Sequence, residues 1–175
     1  MKSIIIAILF LFSYQANAKS LYDFSFQDVN AKPIAFSSLK GKTVMLVNIA
    51  TRCGYTGQLD ALEKLYQKYK SKNFMLIGIP SNNFGEQTPE NNKDVGKFCR
   101  LKYGVEFPIT EKVDVIGKGK TELFQWINSQ KGFEADIAWN FEKFLFDKNG
   151  KLVARFLSGK EPLSEEITKE IEKVL

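Results

Sequence analysis

The stretch NIATRCGYTG, Asn48–Gly57, decides how the rest of the chain is read. Just before it, TVMLV (Thr43–Val47) is a short apolar run with β-branched residues, the mark of a buried strand. Just after it, LDALEKLYQKY places Leu59, Leu62, Leu65, Tyr66 and Tyr69 at helical spacing, so an amphipathic helix follows. Cys53 therefore falls in the turn between a buried strand and a helix. Free backbone N–H groups and the positive end of a helix dipole favour an anion in such a turn. A thiol placed there is expected to react as the thiolate.

Working outward, NFMLIGIP (Asn73–Pro80) is a second continuous apolar run, which suits a parallel strand covered on both faces. Strand, helix and strand make a βαβ unit, whose crossover is nearly always right-handed. SNNFGEQTPE (Ser81–Glu90) then forms a loop at the carboxyl end of that strand, a usual site-bearing position in α/β sheets. Asn91–Tyr103 reads as a helix with Val95, Phe98 and Cys99 on one face, and Thr121–Ser129 as a shorter one. Phe141–Asp147 and Lys151–Leu157 form a hairpin around Asn149-Gly150, the strongest turn signal in the chain. Ser164 caps a closing helix to Leu175, with Glu165 and Glu166 in its first turn. Toward the other end, Leu21–Asp28 alternates apolar and polar residues and reads as an edge strand, followed by a turn at Asn30–Pro33.

The chain has 175 residues, enough for one well-packed α/β domain, and it shows no repeat, low-complexity tract or linker. MKSIIIAILFLFSYQANA has the form of an export signal: Lys2, the apolar run Ile4–Phe12, and the small-x-small site Ala16-Asn17-Ala18. The apolar run is too short to span a bilayer, so residues 1–18 are expected to be removed and 19–175 to form the mature domain. The destination is then the periplasm or the medium, with no stable membrane insertion. Losing Lys2 lowers the net charge of +5 by one. The other lysines are interleaved with acids, as in EEITKEIEK, which describes a solvated surface and not a nucleic-acid stripe.

Histidine is absent, and this excludes several chemistries at once. Ser-His-Asp and Cys-His nucleophile pairs cannot form. A metal site would rest on two cysteines and carboxylates, a poor donor set for zinc or copper, so no metal and no cofactor are expected. Two cysteines in an exported chain are most often a structural disulfide, and Cys99 taken alone reads as a core thiol. Spacing in sequence does not bring two sulfurs together, so both readings stay open at this point.

Three motifs then carry a resemblance. NIATRCGYTG resembles the peroxidatic motif of the glutathione peroxidase family, N-V-A-S-x-C-G-x-T. IPSNNFGEQTPE is similar to its second motif, F-P-C-N-Q-F-x-x-Q-E-P, and AWNFEKFLFDKNG to its W-N-F-x-K-F-L run. They stand in the right order and at the right separations over almost the whole mature chain. The resemblance implies a thioredoxin-like fold, a central mixed sheet flanked by helices. It implies that Cys53 is the peroxidatic cysteine, with Gln87, Trp139 and Asn140 completing an active-site tetrad. Each of those three carries an N–H that can stabilise a thiolate without titrating, which suits a chain lacking histidine. KFCRLKYGVEFP resembles the segment bearing the resolving cysteine of the thioredoxin-dependent branch, which gives Cys99 that role and implies a local opening of its helix.

The departures are specific. Ser81 stands where many members have Cys, Asn83 where they have Gln, and Thr88 where they have Glu. The stretch between Val115 and Trp139 is short where tetrameric members carry a longer loop, so a monomer is expected. No basic cluster for glutathione carboxylates is evident, which favours a thioredoxin-like reductant over glutathione. The function expected is reduction of hydrogen peroxide and organic or lipid hydroperoxides. A peroxide-sensing relay, and a non-catalytic domain held by a Cys53–Cys99 disulfide, are the alternatives.

Overall fold

The computed structural model describes residues 19–175, and the export-signal expectation for residues 1–18 lies outside the described residues. Four strands form the central sheet in the order β4(Phe74–Pro80), β3(Thr43–Ile49), β5(Lys143–Phe146), β6(Leu152–Phe156). β3 and β4 run parallel, while β3–β5 and β5–β6 are antiparallel, so the sheet is mixed. A separate ribbon pairs β1(Ser25–Gln27) with β2(Pro33–Ala35). The helices are α1(Gln58–Tyr69), α2(Asn92–Tyr103), α3(Glu122–Asn128) and α4(Glu165–Val174).

Strand periodicity divides the core in two. Met45, Val47 and Ile49 of β3 point into one apolar layer with Leu59, Leu62 and Leu65 of α1, Val95 and Cys99 of α2, and Ile167 and Ile171 of α4. Val44 and Leu46 point the other way, to Leu21, Phe36, Leu39 and the Leu123, Phe124 and Ile127 face of α3. Every residue of β3 is buried, which is why it reads as a continuous apolar run and not an alternating one. Cys53 belongs to the α1/α2/α4 layer, so both cysteines lie on the same side of the sheet.

One local expectation fails. Leu21–Asp23 is a turn of 3-10 helix, not strand. The Ser20 N–H donates to Asp23 Oδ2 at 2.7 Å and the Asp23 N–H returns to the Ser20 carbonyl at 3.2 Å. Those local bonds outcompete ladder pairing until Ser25. The closing helix and the Asn149-Gly150 turn form where the sequence places them, with Ser164 as N-cap and Gly150 at φ +76°.

Candidate active site

β3 delivers Asn48 to its carboxyl end, and the chain then passes through a series of turns before α1 begins at Gln58. Thr56 ties this loop. Its hydroxyl accepts the Cys53 N–H at 2.9 Å and donates to the Ala50 carbonyl at 3.0 Å, while its own N–H donates to the Cys53 carbonyl at 3.0 Å. Cys53 is 9% exposed, whereas Cys99 has no exposure at all. The N–H groups of Gln58, Leu59 and Asp60 are taken by the carbonyls of Tyr55, Thr56 and Gly57. The amide that reaches the sulfur is instead that of Tyr55, at 3.4 Å. A turn amide, and not one from the first turn of α1, is the backbone donor at this sulfur.

Gln87 is brought in from the loop after β4. Gly85 and Glu86 both have left-handed backbone, φ +60° and +53°, and for Glu86 that conformation is a local strain. It turns the Gln87 carbonyl onto the cysteine loop, where it accepts the N–H groups of Thr51 at 3.2 Å and Arg52 at 2.9 Å. Asn140, fully buried, donates from Nδ2 to Gln87 Oε1 at 3.0 Å. Among the described residues no protein group accepts from Gln87 Nε2, and that end is free to donate. Trp139 is 39% exposed, with its ring 5.5 Å from Phe84 of the loop after β4, so it lies at the surface and does not fill the core. The structure thus gathers the Cys53 loop, Gln87 and the Trp139-Asn140 corner at the carboxyl ends of β3 and β4.

Three further groups hold this arrangement, and sequence reasoning assigned them no role. Asn48, fully buried, accepts the Glu142 N–H on Oδ1 at 2.9 Å and donates from Nδ2 to the Trp139 carbonyl at 3.2 Å. Its own carbonyl takes the Phe141 N–H at 2.7 Å, and Phe141 is held at φ +66°. A buried amide ending an otherwise apolar strand was the available signal. Glu90 accepts the Thr51 hydroxyl at 2.6 Å and Arg52 Nε and Nη2 at 2.8 Å. Burial pushes its carboxyl up, but the Thr51 and Arg52 contacts prevail and hold it below the ordinary range. Lys143, fully buried, donates to Gln58 Oε1 and the Lys160 carbonyl at 2.6 Å and to the Ser158 carbonyl at 3.2 Å, anchoring the start of α1.

Cys99 has no exposure, and burial pushes its thiol up to about 12, so it is a protonated core thiol in this state. Cys53 and Cys99 are both free thiols. Among the described residues there is no group of three or more His, Cys, Asp or Glu side chains able to hold a metal ion.

The glutathione peroxidase family model matches residues 21–128. The chain belongs to the glutathione peroxidase family. Its relatives include glutathione peroxidase-like peroxiredoxin 2 of Saccharomyces cerevisiae, 44% identical over 160 residues that cover 89% of this chain and 97% of the yeast protein. Glutathione peroxidase homolog BsaA of Staphylococcus epidermidis is 42% identical over 159 residues, covering 90% and 99%. Among solved structures of the family, Trgpx in apo form superposes with a TM-score of 0.71 at 33% identity, covering 90% of this chain and 96% of that one. A thioredoxin-family thiol:disulfide interchange protein from Chlorobium tepidum shares the fold with a TM-score of 0.66 at 20% identity, covering 91% and 99%. The family's thioredoxin-like fold is that of this chain.

Proposed function

We propose that the chain reduces hydrogen peroxide and small organic or lipid hydroperoxides in a two-cysteine cycle. The observation that carries this reading is a Cys53 sulfur that accepts the Tyr55 N–H at 3.4 Å, in a loop whose Thr51 and Arg52 amides bond the carbonyl of Gln87, itself bonded to Asn140. The Cys53 thiolate attacks the terminal peroxide oxygen, the O–O bond breaks, and the departing alkoxide takes a proton to leave as an alcohol, or as water from hydrogen peroxide. Cys53 is left as a sulfenic acid. Gln87, Asn140 and Trp139 carry the N–H groups that stabilise the sulfur anion and the departing oxygen.

Cys99 then attacks the sulfenic sulfur, releasing water and forming the Cys53–Cys99 disulfide. It starts buried within α2, and that helix has to open for the sulfurs to meet. An external dithiol of the thioredoxin type returns both thiols and leaves oxidised itself. With residues 1–18 read as a cleaved signal, the enzyme works as a monomer in the periplasm or medium, and its reductant is an exported dithiol protein. Among the described residues no helix is long and apolar enough to cross a membrane.

The test is a stoichiometric peroxide titration of the reduced protein, followed by intact mass and peptide mapping. Loss of two hydrogens per peroxide with a Cys53–Cys99 linkage supports the cycle. Thiols that survive excess peroxide refute it and return the chain to a non-catalytic role.

A further inference from the structure

If Cys99 has to travel to Cys53, something must hold the moving segment close to its target. The segment 87–91 is fastened from two sides. From the cysteine loop, Thr51 and Arg52 grip it through the Gln87 carbonyl and the Glu90 carboxylate. From the other side, Lys112 Nζ donates to the carbonyls of Thr88 at 2.9 Å and Glu90 at 2.8 Å. The next residue, Asn91, is the N-cap of α2 and accepts the Asp94 N–H at 3.0 Å. Glu90 is therefore joined through its side chain to the two residues that precede Cys53, and through its backbone to the cap of the helix that carries Cys99.

We infer that Glu90 is a positioning residue for the resolving step: it anchors the start of α2 to the Cys53 loop while the helix opens and delivers Cys99. This deepens the two-cysteine reading above and rests on it. Glu90 lies outside α2, so its contacts with Thr51 and Arg52 need not break when the helix unwinds. An anchor, and not a lock, follows from that placement. Nine residues of extended chain reach at most about 30 Å, so an opened segment pinned at Glu90 swings from a point bonded to the two residues before Cys53. Releasing the pin lowers the effective concentration of Cys99 at the sulfenic acid. The covalent step is unchanged: Cys99 sulfur bonds to Cys53 sulfur, and the sulfenic oxygen leaves as water with the thiol proton.

The experiment is rapid-quench intact mass on the reduced protein after a single equivalent of hydrogen peroxide, comparing wild type with Glu90→Gln. Arg52→Gln breaks the same pair from its exposed side and serves where Glu90→Gln folds poorly. The ratio of the disulfide-forming rate to the first-oxidation rate is expected to fall about fivefold or more, with more sulfinic acid at excess peroxide. The charge-swapped Arg52→Glu, Glu90→Arg protein is expected to recover most of that ratio, which loss of packing alone would not allow. An unchanged ratio overturns the anchor, and a raised one shows a lock instead. A wild type that consumes peroxide yet forms no Cys53–Cys99 linkage overturns the two-cysteine cycle itself, and this inference with it.

Discussion

The Asn140 side-chain amide donates to Gln87 Oε1 at 3.0 Å, so the two amides form a chain with a direction. Because Gln87 accepts at its oxygen, its NH₂ end is left to donate. Asn140 is in turn held by a corner that Asn48 brackets from β3, through the Trp139 carbonyl and the Phe141 and Glu142 N–H groups. The strained Phe141 backbone, at φ +66°, is the bend that places Asn140 beneath Gln87.

Replacing Asn140 with Ala therefore removes a donor from the site and lets the Gln87 amide rotate. The rate of Cys53 oxidation is expected to fall by about a hundredfold, the lower end of the range for losing one preorganised donor. Stopped-flow peroxide consumption measures it. A folded Asn140→Ala protein that oxidises at the wild-type rate would show that the amide chain does not prepare the sulfur.

Cys99→Ser separates the two halves of the cycle. The first oxidation proceeds, the linkage cannot form, and Cys53 accumulates as sulfenic and then sulfinic acid. Intact mass under peroxide should show oxygen added and no loss of two hydrogens. Steady turnover of this variant with a thioredoxin-type donor would remove Cys99 from the mechanism. The hydroxyl enters a fully buried apolar setting, so a stability loss of about 1–3 kcal/mol accompanies the change.

The elements were legible because periodicity reports burial directly: β3, β4, α1 and α4 occupy the stretches whose apolar spacing marks them. Cys53 and Gln87 were legible as loop residues at the carboxyl ends of strands. Trp139 was legible only through the motif resemblance, since an indole read in isolation suggests core, yet it is 39% exposed against Phe84. The contacts of Asn48 with Glu142, of Thr51 with Glu90 and of Lys143 with Gln58 join residues far apart in the chain. No local pattern encodes such pairs. At Cys53 the expected turn donor is the Tyr55 amide, while the turns between Cys53 and Gln58 use up the first amides of α1, a detail no local pattern shows.

Two buried groups set opposite slopes in alkaline stability. Burial pushes Cys99 from 9.0 to about 12, with Arg100 opposing and Glu90 adding to the rise. Below pH 9 this contribution is fully present. As pH rises from about 9 to about 12 the unfolded chain has released the proton and the folded one has not, so stability falls, by at most about 4 kcal/mol. Burial pulls Lys143 from 10.5 down to about 8, against Glu161 and Glu142, which draw it back up. Between those values the unfolded chain holds the extra proton, so stability rises with pH. Urea midpoints followed across this range should show the fall relieved in Cys99→Ala and the rise absent in Lys143→Met. Parallel profiles for wild type and Cys99→Ala would contradict the buried-thiol account.

Gly96 tests how tightly α2 is seated. In an exposed helix, Gly→Ala stabilises by about 1 kcal/mol. Here an added Cβ would lie 2.6 Å from Val29 Cγ2 and 3.1 Å from Val29 Cβ, as well as 2.8 Å from Arg100 Nη1. The Arg100 end can swing away. Val29 cannot, since it is buried and its N–H is bonded to the Ile109 carbonyl at 3.2 Å. The clash outweighs the propensity gain, so Gly96→Ala is expected to cost about 1–3 kcal/mol and to lift α2 from its seat. Amide exchange in residues 95–100 should quicken, and disulfide formation after peroxide should quicken with it, because a helix already loosened opens more readily. A Gly96→Ala protein that is stabilised, with slower exchange, would show that Val29 yields and that α2 closes more firmly than this packing implies.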